Sequence, residues 1–411
     1  MKVCMITSLH SPKDDRIFYK QAKSLQNNGF EVSILCLADE NGKIKDMSGK
    51  VINANNEEEN ICDGIKIICI KKQSGFFQKI LHKFAKGKCW GNFIKKAIEI
   101  NADVYHAHEP QTAFIGLKIQ SQTKAKLIYD AHEPWIFSRS LKEGLLKILC
   151  LSKLKNIITA NHITEQTLLK ENPKLNTVII YNCSPSFFRE FIKEKNEIII
   201  CHEGVLWFNR GLKLIIETLI ILKTSHPNFK FRIIGDVFGK EKEYLLDKIK
   251  KNNLENNIEI TGWLNYKDLP KSLADCSIGI ITNTEEKRNT LAGPPNKLFN
   301  YMTMGLAIVS VDLQATTQII QETNCGIILQ KRNAPLLVQE LIKLLNDKTT
   351  LSALQQKSSI AAEEKYNWKS EENKLFRERD ILRVKVMDAE QELIKSTILF
   401  FSYLEESKIK F

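Results

Sequence analysis

Hydrophobic and polar positions along this chain switch repeatedly between the period of a strand and the period of a helix. Val3-Cys4-Met5-Ile6 is a short apolar run suited to a strand buried on both faces, and Ile17, Phe18, Ala22 and Leu25 recur at helical spacing up to Asn28-Gly29. Glu31 to Leu37 reads as a second strand. Strand, helix, strand opens a parallel sheet with right-handed crossovers, whose ligands gather beyond the carboxyl ends of the strands. Ala38 to Asn60 is polar and acidic and reads as a loop; further strands are predicted at Ile65 to Ile70, at the runs ending in Tyr105-His106-Ala107-His108 and Tyr129-Asp130-Ala131-His132, from Asn156, and at Val178 to Tyr181. Residues 184–196 lack periodicity and carry charges of both signs, as a hinge would. The alternation then resumes with a strand at Ile198 to Ile200, a loop from Gly204 to Gly211, a helix from Leu212 to Lys223, a strand at Lys230 to Ile234 before Gly235-Asp236, and a strand at Ile258 to Thr261 before Gly262-Trp263. The expected fold class is α/β, with Rossmann-like domains at 1–183 and 197–365 joined by a linker at 184–196 and enclosing a cleft.

The most constrained loop is Gly293-Pro294-Pro295-Asn296-Lys297. It opens a helix that Asn296 is expected to cap and Gly305 to close, ahead of a strand from Ala307 to Val311. A rigid loop at a helix N-terminus suits an anion, because the first backbone N–H groups lack partners and Lys297 adds a full charge. Arg210-Gly211 precedes another helix, and Gly262 lets backbone approach a flat base beside Trp263. Together, at the ends of consecutive strands, these features favour a bound diphosphate. The first strand is followed by Ser8-Leu9-His10-Ser11 and Asp14-Asp15-Arg16 without a G-x-G-x-x-G signature, so a dinucleotide is not indicated. His106 and His108 lie two apart and face one side of a strand. They read either as metal ligands whose set nothing else completes, as donors to a substrate hydroxyl or leaving phosphate, or as loop anchors.

Composition narrows the partners. The chain has 411 residues, 43% of them hydrophobic, with a formal net charge of +12 and ten cysteines in no metal-binding spacing. Two domains, reduced thiols, no leader at Met1 to Met5 and a partner of negative sign are expected. No apolar run approaches the roughly 20 residues of a membrane span. Residues 64–98 contain no acidic residue, while the lysines of 71–96 interleave with Phe76, Phe77, Ile80, Leu81, Phe84 and Trp90. Such a helix either lies on an anionic membrane or packs its apolar face on its own domain.

Asp15-Arg16-Ile17-Phe18-Tyr19, the two histidine-bearing strand ends and, above all, Pro295-Asn296-Lys297-Leu298-Phe299-Asn300-Tyr301-Met302 resemble family-4 retaining glycosyltransferases of the GT-B fold over residues 1 to 370. The resemblance implies transfer of a sugar from a UDP- or GDP-linked donor to a glycan acceptor, with no cofactor and no catalytic metal, and no D-x-D element is present. By it, His132, Arg210 and Lys297 serve catalysis, and Gly235, Asp236, Gly262, Trp263, Gly293, Pro294, Pro295, Asn296 and Asn300 hold the donor. Ser8, His10, Arg16, His106, His108 and Glu133 lie on the acceptor side. Asn300 and Ala292 stand where the family usually carries glutamates, and Val205 where it often carries arginine. Residues 366–411 are expected to cross back to the first domain at Tyr366-Asn367-Trp368 and to add a helical tail.

The expected partners are a nucleotide-sugar, a lipid-linked acceptor and the inner face of the cytoplasmic membrane, with nucleic acid not expected. Three other readings stay open: an inactive subunit, a nucleic-acid-modifying transferase and a nucleotide-sugar epimerase. Neutralising Lys79, Lys83 and Lys86 together is expected to weaken binding to anionic vesicles while nucleotide binding is spared, and a flotation assay that finds vesicle binding undiminished assigns the contact to another surface.

Overall fold

The structure, a computed structural model, describes residues 1–39, 41–45, 51–52, 59–71, 87–131, 150–284 and 293–377. Eight strands form the first sheet: β1 (Lys2–Ile6), β2 (Glu31–Ala38), β3 (Glu59–Cys62), β4 (Ile65–Lys71), β5 (Val104–Ala107), β6 (Lys126–Ala131), β7 (Asn156–Thr159) and β8 (Asn176–Ile179), in the order β3-β4-β2-β1-β5-β6-β7-β8. Neighbours are parallel except the β3–β4 pair. Six strands form the second: β9 (Ile199–Glu203), β10 (Lys230–Ile234), β11 (Ile258–Ile260), β12 (Cys276–Ile281), β13 (Ala307–Val311) and β14 (Gly326–Leu329), all parallel, in the order β11-β10-β9-β12-β13-β14. In each sheet the strand order reverses beside the first strand, at β1 and at β9. The carboxyl ends there flank a crevice that no crossover covers.

Alternation along β1 explains the first domain's core. Val3 and Met5 join one apolar cluster and Cys4 and Ile6 another, one on each face of the sheet. In the second domain β9, β12 and β13 are buried along their whole length, as expected where helices cover both faces of a parallel sheet. The connector is more ordered than its sequence predicts: Ser186–Phe191 is a 3-10 helix that buries Phe188 in the second core. The predicted loop between β2 and β4 likewise contains β3, because Glu59 to Cys62 pairs antiparallel with β4.

Two expectations change with the packing. The helix Gly87–Ile100, the described part of the basic stretch, turns inward, with Phe93 and Ala97 fully buried and Trp90 packed against the same core. Its apolar face is used by its own domain, and Lys96 reaches Glu59 at 3.3 Å. Residues 72–86, with Lys79, Lys83 and Lys86, lie outside the described residues. Asn296 is not the cap of its helix. Pro295 holds that position without a side-chain bond, and Asn296 is the first residue of the helix Asn296–Thr303.

The chain's return to the first domain is well defined. Trp368 of the helix Trp368–Arg377 is buried in the first domain's core with Leu375, and its indole N–H donates to Ser24 Oγ at 2.8 Å. Its backbone N–H reaches Ser184 O at 3.0 Å, and Glu371 accepts from Tyr181 N at 2.9 Å. The tail predicted beyond this helix lies outside the described residues. Trp368→Ala removes a buried aromatic and a buried hydrogen bond, with an expected loss of about 3–5 kcal/mol. Urea denaturation checks it, and a loss below about 1 kcal/mol would show that this anchor is dispensable.

Candidate active site

Three residues of the helix Asn296–Thr303 occupy one face by their spacing, and all three meet the end of β9. Lys297 Nζ lies 3.1 Å from His202 Nε2, Asn300 Nδ2 donates to Glu203 Oε1 at 2.8 Å, and the Tyr301 hydroxyl accepts from Glu203 N at 2.8 Å. Tyr301 can approach because Gly279 of β12 has no side chain; a Cβ there would sit 2.3 Å from the ring. The Ser184 hydroxyl, at the start of the connector, donates to Asn300 Oδ1 at 2.5 Å and fixes which end of the amide faces Glu203.

These groups are buried, and burial dominates their titration. Glu203 is pushed up to about 7 by desolvation, opposed by Lys297 and the Asn300 hydrogen bond. Lys297 is pushed down to about 7 by desolvation and then by the Arg210 charge, with Glu203 opposing. His202 is held well below its usual range by burial, Lys297 and Arg210, so its imidazole is neutral and can accept from the lysine. Arg210 ends the turn Phe208–Arg210 and is exposed on the cleft. The site therefore crowds positive charge at one strand end, where a diphosphate would relieve it.

Two adjoining cavities occupy the crevice between the sheets and share Asp15, Glu203, Gly204 and Asn296. The larger, about 810 Å3, is bordered by His10, Arg210, Gly293, Pro294, Pro295 and Lys297. The smaller, about 340 Å3, is bordered by Gly235, Trp263, Tyr266, Asn300 and Tyr19. Asp15 Oδ2 accepts from Asn296 Nδ2 at 3.1 Å and Asn182 Nδ2 at 3.0 Å, joining the Pro-Pro-Asn loop to the first domain. Gly293 is required by this approach: a Cβ on it would lie 2.8 Å from Asn161 Nδ2 and 3.3 Å from Ala160 O.

The expected site residues divide accordingly. Arg210, Lys297, Gly293, Pro294, Pro295, Asn296, Asn300, Gly235, Trp263 and His10 line the two cavities. Asn300, expected to grip a ligand hydroxyl, spends its amide on Glu203 and Ser184. Asp236 holds a turn through Val237 N at 2.8 Å, and Gly262 adopts φ +70 just before Trp263. Ser8 lies in a loop whose N–H groups, at Ser8, Leu9 and His10, converge on the buried Glu109 carboxylate at 3.1–3.2 Å. Arg16 borders the larger cavity, but its guanidinium turns inside: Nε and Nη2 clasp Asp130 at 2.8 and 2.9 Å, and Nη1 reaches Ile180 O. His106 and His108 are buried beside Asp130, with ligand atoms of the three within 4.8 Å. This is the third group that spacing did not supply. Both Asp130 oxygens are already held by Arg16 and Gln21, so the set does not fit a cation. His132, Glu133 and Ala292 lie outside the described residues.

Sequence reasoning missed Glu203, His202, Asp15 and Asn182. The first two were legible as a polar pair ending the apolar run Ile198 to Cys201 at a strand's carboxyl end. Asp15 stood in the charged group after the first strand, but its pairing with Asn296 arises only across the cleft, and Asn182 carried no signal of its own.

Residues 184–364 match the family described as glycosyl transferases group 1. That match takes in the connector and the second domain. A curated relative, the amylovoran biosynthesis glycosyltransferase AmsK of Erwinia amylovora, is 24% identical over 135 residues, 33% of this chain and 33% of that protein, so the match spans about a third of the relative's length. Among solved structures, Anabaena Alr3699/HepE in complex with UDP superposes with a TM-score of 0.71 at 14% identity, over 92% of this chain and 100% of that one. Sucrose-phosphate synthase of Thermosynechococcus elongatus gives 0.70 at 13% identity, over 95% of this chain and 100% of that one. The fold is GT-B, and the part that the family model matches carries the strand end where the helix of Lys297 and Asn300 meets His202 and Glu203.

Because the folded-state carboxyl of Glu203 titrates near 7 instead of 4.5, the native state holds a proton that the unfolded chain has released, and its contribution to stability falls as pH rises between those values. Glu203→Gln abolishes that slope. Compared with the wild type, the variant is expected to gain stability from pH 4.5 to 7.5 in urea titrations, and a stability difference that stays constant across this range would show that Glu203 titrates normally.

Proposed function

We propose that this protein is a retaining glycosyltransferase that moves a sugar from a nucleotide-diphosphate donor to a glycan acceptor without a catalytic metal. The observation that carries the reading is the convergence of Lys297, Arg210 and the N-terminus of the helix Asn296–Thr303 on the larger cavity, at the switch point of the second sheet. Departure of the nucleotide leaves a diphosphate whose negative charge grows in the transition state. Preorganised cations and N–H groups at that spot stabilise the transition state more than the ground state. Lys297 gains its proton most readily when the anion is present, since desolvation and Arg210 disfavour its charge otherwise. Trp263 and the wall around Gly235 offer the smaller cavity to the base, and the first domain's His10 side of the cleft faces the acceptor. A uridine nucleotide is the first choice, because Anabaena Alr3699/HepE, of the same fold, was solved with UDP and with UDP-glucose.

The acceptor is assigned to the lipid-linked class and the working place to the cytoplasmic face of a membrane, on the strength of the lysines at 72–86. The inward packing of Trp90 and Phe93 takes the helix Gly87–Ile100 out of the basic stretch's apolar stripe. No helix among the described residues is long and apolar enough to cross a membrane.

A thermal-shift panel of UDP, GDP and ADP in EDTA and then magnesium is expected to show one nucleotide raising the melting temperature without metal. Arg210→Ala and Lys297→Met are each expected to lower turnover by roughly tenfold or more. Unchanged kcat in either variant removes that residue from the reaction, and the absence of any nucleotide shift overturns the donor-site reading.

A further inference from the structure

Glu203 ends β9 at the switch point of the second sheet, is only 7% exposed, and borders both cavities. Its two carboxylate oxygens are treated differently. Oε1 accepts from Asn300 Nδ2 at 2.8 Å, whereas Oε2 is buried with no hydrogen-bond partner. A carboxylate oxygen withdrawn from water and left unbonded is costly, and native structures rarely keep one without a use. The amide that would compete for a ligand hydroxyl is directed elsewhere: Ser184 holds Asn300 Oδ1, which turns the Asn300 NH2 onto Glu203 and fixes the carboxylate's orientation.

The chemistry of the missing partner follows from its surroundings. A phosphate oxygen is repelled by a carboxylate and is better served by Lys297 and Arg210 nearby. A second cation would crowd those two charges. A neutral hydroxyl donates a strong bond to a carboxylate and adds no charge. The adjoining wall is made of Gly204 and Gly235, where backbone replaces side chains; a Cβ on Gly235 would meet Gly204 O at 2.7 Å. A sugar ring can therefore come close to the strand end.

We propose that Glu203, through Oε2, reads a sugar hydroxyl of the bound donor, so that the carboxylate for hydroxyl recognition comes from strand β9 and not from the helix position held by Asn300. This rests on the cleft being a nucleotide-sugar site. The hydroxyl belongs either to the nucleotide's ribose or to the transferred sugar, and the two sources are separable by ligand. Proximity to Lys297 means that changing Glu203 also alters the field felt by the diphosphate. Ratios of affinities between ligands that share the diphosphate are therefore the informative quantity.

The experiment is calorimetric titration of the wild type, Glu203→Gln and Glu203→Asp with UDP, 2′,3′-dideoxy-UDP and UDP-glucose, or the guanosine or adenosine counterparts if the panel selects that base. Glu203→Asp keeps the charge beside Lys297 and withdraws the oxygens by one methylene, so it controls for electrostatics and for a glutamine variant that folds poorly. If the ribose is the source, the preference for UDP over its dideoxy form falls about tenfold or more in both variants. If the transferred sugar is the source, that preference survives while the gain from UDP to UDP-glucose falls by a similar factor. Both results support the proposal. A wild type that binds UDP without either preference, or preferences that both variants retain, overturns it and leaves the donor site standing. A wild type that binds no nucleotide overturns the donor-site reading and this proposal with it.

Discussion

A carboxylate and an ammonium buried together at the end of β9 have each lost most of the water that would stabilise their charges, and the neighbouring elements are built to hold them there. Lys297, Asn300 and Tyr301 come from one face of one short helix and meet His202 and Glu203, two consecutive strand residues. That contact fixes the helix's rotation about its own axis. The rotation in turn aims the Pro-Pro-Asn loop and the first N–H groups of the helix at the larger cavity. Replacing the lysine's partner or tilting the helix would displace that wall of the cavity as a whole, because its parts share one rigid origin.

The same strand end lies opposite the first domain, and the facing surfaces meet through a mixture of polar and aromatic contacts. Asp15 joins Asn296 while Asn182 of its own domain holds the same carboxylate, and Tyr19 lies over Tyr266 with ring centroids 5.0 Å apart. Such contacts hold the cleft at a set width yet are individually weak enough to exchange for a ligand. The durable link is at the back, where Trp368 is buried beside Ser24 and Glu371 accepts from Tyr181 N. A tight rear anchor and a lighter front contact are an arrangement from which two domains can hinge.

Burial also explains why several polar residues that look functional in isolation are structural. Arg16 and Gln21 Nε2 both donate to Asp130 beneath the first sheet's strand ends, with His108 Nδ1 3.7 Å from the same carboxylate. Glu109 fills the backbone N–H cluster after β1 with its own carboxylate, so that loop is held by the protein itself. Chemical type alone does not separate these from Lys297 and Glu203. What separates them is place: Lys297 and Glu203 border the cavities in the crevice, whereas Asp130, Gln21 and Glu109 border neither.

The sequence by itself determined the alternation of strand and helix, the division into two α/β halves, and the rigid loop from Gly293 to Lys297 at a helix start. These follow from local periodicity, proline and glycine geometry and the orphan N–H groups of a helix start, all encoded within a few residues of one another. It also misplaced some roles for the same reason. Asn296 has the chemistry of a helix cap, and Trp90 belongs to a stripe whose spacing suits a membrane or the chain's own core equally; only the fold shows that Asp15 takes the amide and that the first core takes the ring. Only the tertiary structure could bring Glu203 to Asn300, 97 residues apart, or Ser184 to Asn300, 116 residues apart. Desolvation and hydrogen-bond satisfaction depend on what surrounds a group in space, and separation along the chain carries no measure of either.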